Sequence, residues 1–399
     1  MTSALRRALT ISAVLALACT TGLGAVGPAA AAGRPAAPAK GPKSEHHYVY
    51  LQSDDAAANQ VIGYDFNGSS LAQIGAWATG GQGTGFWLGS QGSVARDGKY
   101  LYAVDGGSND VAVFAIGKDG ALRLLDREPI AGVKPVSVAV EGDKVVVLSV
   151  KAYSPCGELL KCAPVSDPKV CEPLLRCALF DQDRLTLLRR HHDTLEVLDN
   201  VQLSGTGGAQ VSFVGHPHAK RVVVTEKKSS TIASVLLRKN RFGSPTSVAS
   251  AGSTPYGFGI AHHETLVVTN AENEVDGAGT VSSYSLRRKS VTVVTNRLAN
   301  GQQAPCWLAI GKGGRTAYVS NPDSNTISLL GIDKNGSLSL RAASATSPVI
   351  GPIDLEVHDQ YLFVTAWQQL HVLRIAPDGT ATGVAQTTIP DYSQGIVVR

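Results

Sequence analysis

Carboxylate and amide side chains recur at the ends of short apolar runs along this chain. Asp105 follows Tyr100-Leu-Tyr-Ala-Val, Glu226 follows Arg221-Val-Val-Val-Thr, Asn270 follows Thr265-Leu-Val-Val-Thr, and Asn321 follows Thr316-Ala-Tyr-Val-Ser. Gln52, Ser149 and Trp367 hold the equivalent places in three further runs. A second polar set, Gln91, Gln210, Tyr256, Cys306-Trp307, Asp354 and Gln394, leads into other apolar runs. Two carboxylates facing each other across a cavity can perform acid/base work or polarise a water for attack on an ester. Amides beside them can orient a neutral substrate. The competing reading is that such groups line a water-filled channel and do no chemistry.

The ten histidines fall elsewhere. His216, His218, His262, His263 and His358 belong to turns at the other end of the runs, and His191 and His192 to a charged outer loop. His371 lies within a strand, while His46 and His47 lead into the first apolar segment. HExxH, a Gly-rich phosphate loop and a nucleophile elbow are all missing, so neither a metal nor a cofactor is expected.

These residues are positioned by an internal repeat. Its unit is an apolar strand, a Gly/Asp turn, a second strand ending in a small or polar residue, a polar loop, a third strand, a Gly-containing turn and a fourth strand. Clear copies begin at Ser93 and at Cys306. Asp119-Gly120, Asn335-Gly336 and Asp378-Gly379 stand where tight hairpins need positive φ. First strands start near Gln91, Val136, Gln210, Gly257, Trp307, Ile353 and Gln394, about 41 to 50 residues apart except for one gap of about 74. That spacing predicts an all-β, seven-bladed propeller of four-stranded antiparallel blades. The last start has no chain left to complete a blade, and the segment Tyr48–Trp77 has three strands but no first one. Strands from the two ends are therefore predicted to share one blade and close the ring.

The leader has a basic pair, Arg6-Arg7, an apolar stretch and small residues ending at Ala30-Ala31-Ala32. Residues 1–32 are accordingly predicted to be a secretory signal peptide, 33–45 a disordered Ala/Pro/Lys-rich linker and 46–399 the propeller. The apolar stretch is too short to span a bilayer, and Cys19 lacks the aliphatic residue expected before a lipidated cysteine. A secreted, extracellular monomer follows. The 36 basic and 32 acidic residues leave the charge nearly balanced, which disfavours nucleic acid and anionic membranes as partners. The long gap contains an insertion over 153–179 with Cys156-x5-Cys162 and Cys171-x5-Cys177. In an exported protein these four cysteines are expected to form disulfides, with the pairing open. Cys306, before Trp307, is expected to be a packed thiol.

Four stretches resemble the lactonase family of seven-bladed propellers, which includes bacterial 6-phosphogluconolactonases and fungal carboxymuconate-lactonizing enzymes. They are Gly80–Gly92, Val224–Ile232, Thr254–Phe258 and Ala304–Trp307, and they look like an exported actinobacterial branch of that family. Tyr318–Ile327 also looks like the repeat of surface-layer propellers. The resemblance implies a lactone hydrolase or cyclase with Glu226 as catalytic base. Gln91, Asp105, Gln210, Asn270 and Asn321 would form the substrate site. The family's inner-strand histidine is replaced by Gln91, and its anion-binding arginines fall near Gln210 and Asn270. A site without guanidinium forks is poorly suited to a polyanion, so a neutral or weakly charged lactone is expected. The alternative is a non-catalytic extracellular propeller that binds a cell-wall component or a protein.

Overall fold

The computed structural model describes residues 46–150, 182–215, 220–286 and 290–399. The expected leader, linker and cysteine insertion, including Cys156, Cys162, Cys171 and Cys177, lie outside the described residues, as do His216 and His218. Among the described residues no helix is long and apolar enough to cross a membrane.

The strands form seven antiparallel sheets, and each follows the order first, second, third, fourth from one edge to the other. Six blades have four strands; blade 2, for instance, comprises Val94–Asp97, Tyr100–Asp105, Asp110–Ile116 and Leu122–Pro129. In blade 4 the outermost place is divided between Arg241–Phe242 and Thr246–Ala249, both paired with Thr231–Arg238. The remaining first strands are Pro135–Glu141, Gly208–Val214, Pro255–Ala261, Trp307–Ile310 and Pro352–His358. The fold is the seven-bladed propeller read from the repeat. One boundary moves: the first strand of blade 2 starts at Val94 rather than near Gln91, because Gly89 and Gly92 at positive φ steer the preceding residues off the sheet.

Ring closure uses both chain ends. Gln394–Val398 supplies the first strand of blade 1 and pairs with His47–Gln52, followed by Gln60–Phe66 and Leu71–Ala78. The inner strands are apolar on both faces because each blade is sandwiched between two others. In His47–Gln52, Val49 and Leu51 pack towards Phe363 and Val372 of blade 7, while Tyr50 packs towards Leu101 and Phe114 of blade 2. A period of two thus serves two interfaces at once.

A latch links neighbouring blades at their outer hairpins. The Tyr50 hydroxyl donates to the Gly120 carbonyl at 2.7 Å, Ser283 to Gly336 at 2.6 Å, and Tyr318 to Gly379 at 2.8 Å. The three acceptors are the turn glycines singled out by the repeat. A Cβ on Gly120 would meet the Tyr48 ring at 2.4 Å, so the turn needs glycine for contact as well as for its φ of 81°.

A chain ending at Ser393 loses the buried side chains Ile396, Val397 and Val398. At about 1.5–3 kcal/mol each, that loss rivals the net stability of a typical domain, about 5–15 kcal/mol. We expect this truncation to abolish the cooperative thermal transition. A Tm equal to that of the full chain would show that the ring does not depend on its shared blade.

Candidate functional site

The residues ending the second strands lie beneath the connectors between blades. Asp105, Glu226, Asn270 and Asn321 are fully buried; the last three bond within their own blades or to a connector, and Asp105 bonds to the connector and to Asn59 of blade 1. Asp105 Oδ1 accepts from Asn59 Nδ2 at 2.8 Å and Thr79 Oγ1 at 2.6 Å. Glu226 Oε2 accepts from Thr231 Oγ1 at 2.6 Å. Asn270 Nδ2 donates to Thr280 and Ser282 hydroxyls at 3.0 and 2.9 Å. Asn321 Nδ2 donates to Ser328 Oγ at 2.9 Å, and its Oδ1 accepts from Asn300 Nδ2 at 2.9 Å. The connectors touch these side chains directly: a Cβ on Gly205 would stand 2.2 Å from Glu226, and one on Gly252 would stand 2.5 Å from Asn270. These four residues act as clasps that tie second strands to third strands and connectors, and they do not converge on one cavity.

Asp105 faces a second carboxyl. It pairs across its hairpin with Asp110, and Asp105 Oδ2 and Asp110 Oδ1 are buried without another hydrogen-bond partner. Burial, then the neighbouring Asp110, holds Asp105 well above the usual carboxylate range, so the pair keeps a proton at neutral pH. Arg127 Nη1 lies 3.3 Å from Asp110 Oδ2 and balances the remaining charge.

Gln91 closes the channel instead of lining it. Its Nε2 donates to the Leu308 carbonyl at 2.9 Å and its Oε1 accepts the Leu308 N–H at 3.2 Å. The side-chain amide therefore pairs with the innermost strand of blade 6 as another strand would. The same Nε2 reaches Asp354 Oδ1 of blade 7 at 3.0 Å, and the Gln91 carbonyl accepts from Ser137 Oγ of blade 3 at 2.7 Å. Around it, Trp307 Nε1 donates to Ser90 O at 2.8 Å, Lys227 Nζ to Gly89 O, and the Leu88 N–H to Gln394 Oε1 at 3.1 Å. Lys227 also sits 4.4 Å over the Tyr256 ring, and burial lowers its ammonium to about 8. Cys306 is buried beside this layer with its thiol pushed far up by burial, which makes it a packing group. The stretch Leu88–Gly92 is thus a stopper on the face that carries the connectors.

Beyond the stopper lies a cavity of ≈ 360 Å³, lined by Gly92, Ala95 and Arg96 of blade 2, residues 138–141 of blade 3, and residues 210–215 of blade 4 and its turn. It lies towards the face formed by the turns between first and second strands. Gln210 lines it; its Oε1 accepts the Phe258 N–H at 2.6 Å, which directs the Nε2 elsewhere. The Gly92 N–H is 3.5 Å from Asp354 Oδ2. Burial raises Asp354 to about 7 against the opposing bonds from Leu355, Gly92 and Gln91. Two residues on, burial raises Glu356 to about 8, with Arg96 opposing. Glu356 Oε2 accepts the Val398 N–H at 3.0 Å, and Arg96 Nε donates to Val398 O at 3.1 Å. Two carboxyls that exchange protons near neutrality thus stand on one inner strand; neither lines the cavity, and Asp354 reaches its wall through Gly92. Asp354 leads into its strand as Gln91 and Gln210 do, a positional signal present in the sequence; for Glu356, Arg96 and Lys227 no spacing distinguishes them.

The fold and this axial site define a seven-bladed propeller with titratable groups at its channel. The family described as "Lactonase, 7-bladed beta-propeller" matches residues 42–161 and 212–381, and the chain belongs to that family. A search of curated protein sequences finds no match. Among solved structures, the periplasmic gluconolactonase PpgL of Pseudomonas aeruginosa is similar at 14% identity and a TM-score of 0.62, over 89% of this chain and 99% of that one. A Bacteroides fragilis protein named as a candidate 6-phosphogluconolactonase aligns at 15% identity and a TM-score of 0.63, covering 90% and 100%. A Lactobacillus plantarum protein reaches a TM-score of 0.66 at 14% identity, covering 89% and 99%.

Two measurements test these assignments. Gln91→Ala strands the Leu308 backbone groups and removes a donor from Asp354, so a loss of about 2–4 kcal/mol is expected in urea unfolding; a change near zero would return Gln91 to the cavity as a ligand group. A carboxyl raised on folding stabilises fully only below its unfolded pKa, and that stabilisation drains away as pH rises through the folded value. Tm is therefore expected to fall from about pH 5 to about pH 9, with a shallower slope in Asp105→Asn. An unchanged slope would mean that Asp105 is ionised in the folded protein.

Proposed function

We propose that this chain is an exported lactone hydrolase that acts on a neutral or weakly charged lactone, with Asp354 as its general base. The observation that carries the reading is a buried carboxyl held at about 7 behind Gly92, a wall residue of a cavity of ≈ 360 Å³, in a chain of the lactonase family. Such a volume suits a small ring compound. The cavity's one guanidinium, Arg96, is bonded to Val398 O and Gly98 O, and Glu141 adds a carboxylate to the wall. An anionic substrate would find no free fork there, which favours an uncharged ring.

Asp354 Oδ1 accepts two good hydrogen bonds, whereas Oδ2 has only the long contact to Gly92. Oδ2 is then the atom to take a proton from water as its oxygen adds to the lactone carbonyl. Gln210 Nε2 would donate to that carbonyl oxygen. Collapse of the tetrahedral intermediate breaks the ring C–O bond, and the leaving alkoxide takes a proton from Glu356, which is protonated at neutral pH. The hydroxy acid then ionises, and Asp354 returns its proton through solvent to Glu356.

Proton release from a panel of neutral lactones at constant pH tests the reading. Turnover is expected with an acid limb near pH 7, because the base must be ionised, and Asp354→Asn should lower kcat/KM by about 10²–10⁴-fold. Glu226→Gln should leave it nearly unchanged. The reverse pattern would move the chemistry to the connector face.

A second reading, a propeller that binds a cell-surface ligand, is favoured by exposed apolar side chains on the connector face. Phe86, Ile350 and Trp367 are 61%, 61% and 59% exposed, and Phe86 lies 5.4 Å from the Tyr392 ring. All four belong to connectors or second-strand ends of blades 7, 1 and 2. Apolar exposure on this scale suits a partner or a sugar ring. No turnover on any lactone, together with ligand binding lost in Trp367→Ala, would select this reading.

A further inference from the structure

The turn face carries a cluster that the axial site does not use, at the seam where the chain ends meet. His47 opens the N-terminal strand of blade 1, His358 ends the first strand of blade 7, and Asp359 begins the turn after it. One ligand atom from each lies within 4.8 Å of the others. The His47 ring is only 5% exposed and is lodged among Phe66, Tyr361 and Phe363, with centroids 5.6 to 6.1 Å away. Its Nε2 is buried without a hydrogen-bond partner, a costly state for an imidazole nitrogen. His358 meets it edge-on at 5.4 Å and brings Nε2 to 3.9 Å from Asp359 Oδ2.

We propose that His47, His358 and Asp359 form a zinc-class metal site that clamps the N-terminal strand onto blade 7. Two imidazoles and one carboxylate are a donor set for Zn²⁺ and its neighbours, whereas Ca²⁺ and Mg²⁺ prefer oxygen alone. With metal–nitrogen bonds of about 2.0–2.1 Å, tetrahedral ligand atoms stand roughly 3.4 Å apart, so the three groups need small rotations to close on an ion. Asp359 has a left-handed backbone, φ 52°, and faces solvent, which leaves the fourth position to water. Lys312 Nζ lies 3.6 Å from Asp359 Oδ1, but both side chains are exposed, and such a pair is weak competition for a metal.

The full chain, stripped by chelator, is titrated with ZnCl2 in a calorimeter, with MgCl2 as control. One zinc is expected at micromolar or tighter affinity, with a rise in Tm that Asp359→Asn does not show. Asp359→Asn and His358→Gln should each weaken binding by at least about tenfold. Asp359 is exposed, so its variant keeps the test meaningful even if His47→Phe disturbs packing. Co²⁺ serves as the spectroscopic probe: d–d bands without thiolate-to-metal charge transfer are expected. No zinc binding, a thiolate band, or binding unaltered in both variants would overturn the proposal and, in the latter two cases, place the metal elsewhere, with Cys156, Cys162, Cys171 and Cys177 the first to examine.

Discussion

The innermost strand of each blade is paired on one side only, and its free edge faces the axis. Every N–H and C=O on that edge must find a partner or remain in contact with water. In this ring the partners come from other blades. The Gln91 N–H donates to Ala209 O at 2.9 Å, Val138 N–H to Gly92 O at 2.8 Å and Gly257 N–H to Cys306 O at 2.7 Å. Hydroxyls one place before the second-strand ends do the same work: Thr225 donates to Tyr256 O, Thr269 to Cys306 O and Ser320 to Ile353 O. Each of these three bonds runs from one blade to the next. The polar residues near the axis are thus committed first to satisfying backbone.

That commitment limits which of them can do chemistry. An amide that bonds both backbone groups of Leu308, as Gln91 does, has nothing left for a substrate. A carboxylate beneath a connector glycine, as Glu226 is, cannot meet one without the connector moving. Asp354 differs in where its spare oxygen lies: one oxygen is saturated by Leu355 and Gln91, and the other has a single long contact to Gly92 of the cavity wall, whereas the spare oxygens of Asp105 and Glu226 lie beneath connectors. Burial without full compensation is also what lifts its pKa towards neutrality. The group most suited to proton transfer is therefore one that the structural hydrogen bonds leave half used.

The fold was legible because its signals are local and repeated: alternating apolar strands, Asp-Gly and Asn-Gly turns, and a unit length that four strands require. Even the shared blade could be read, from a missing first strand at one end and a surplus one at the other. The site was less legible for a physical reason. Asp105, Glu226, Asn270 and Asn321 recur at one repeat position, and recurrence marks a structural duty as readily as a functional one. Their burial was written in Gly81, Gly205 and Gly252, whose bare backbones lie against Asp105, Glu226 and Asn270, but that reading needs the path of the connectors. Gln91 meets Leu308 across 217 residues, a contact that no local pattern encodes. The raised pKa values of Asp354 and Glu356 depend on burial at the axis, which exists only once the ring has closed.

Closure and the axial chemistry meet on one strand. Pro352–His358 presents Asp354 to the Gln91 stopper, Glu356 to the backbone of the C-terminal strand, and His358 to the N-terminal strand. Glu356 and His358 are alternate residues on a period of two and project to the same side, and Asp354 precedes them in the irregular stretch between Pro352 and Leu355. Glu356 accepts the Val398 N–H, and Arg96 of blade 2 takes the carbonyl of that same residue, so the C-terminal strand is held between its two neighbours by ionisable side chains. A blade assembled from two chain ends has no covalent continuity to hold its inner strand, and side-chain contacts must supply what a hairpin turn supplies elsewhere. The ionisation of Glu356 is therefore linked both to the proton balance beside the cavity and to the bond that seats the last strand. A proton lost there strengthens acceptance from Val398 but leaves a buried charge that costs more than the bond gains, so closure and the proposed hydrolysis both draw on the protonated form of one carboxyl.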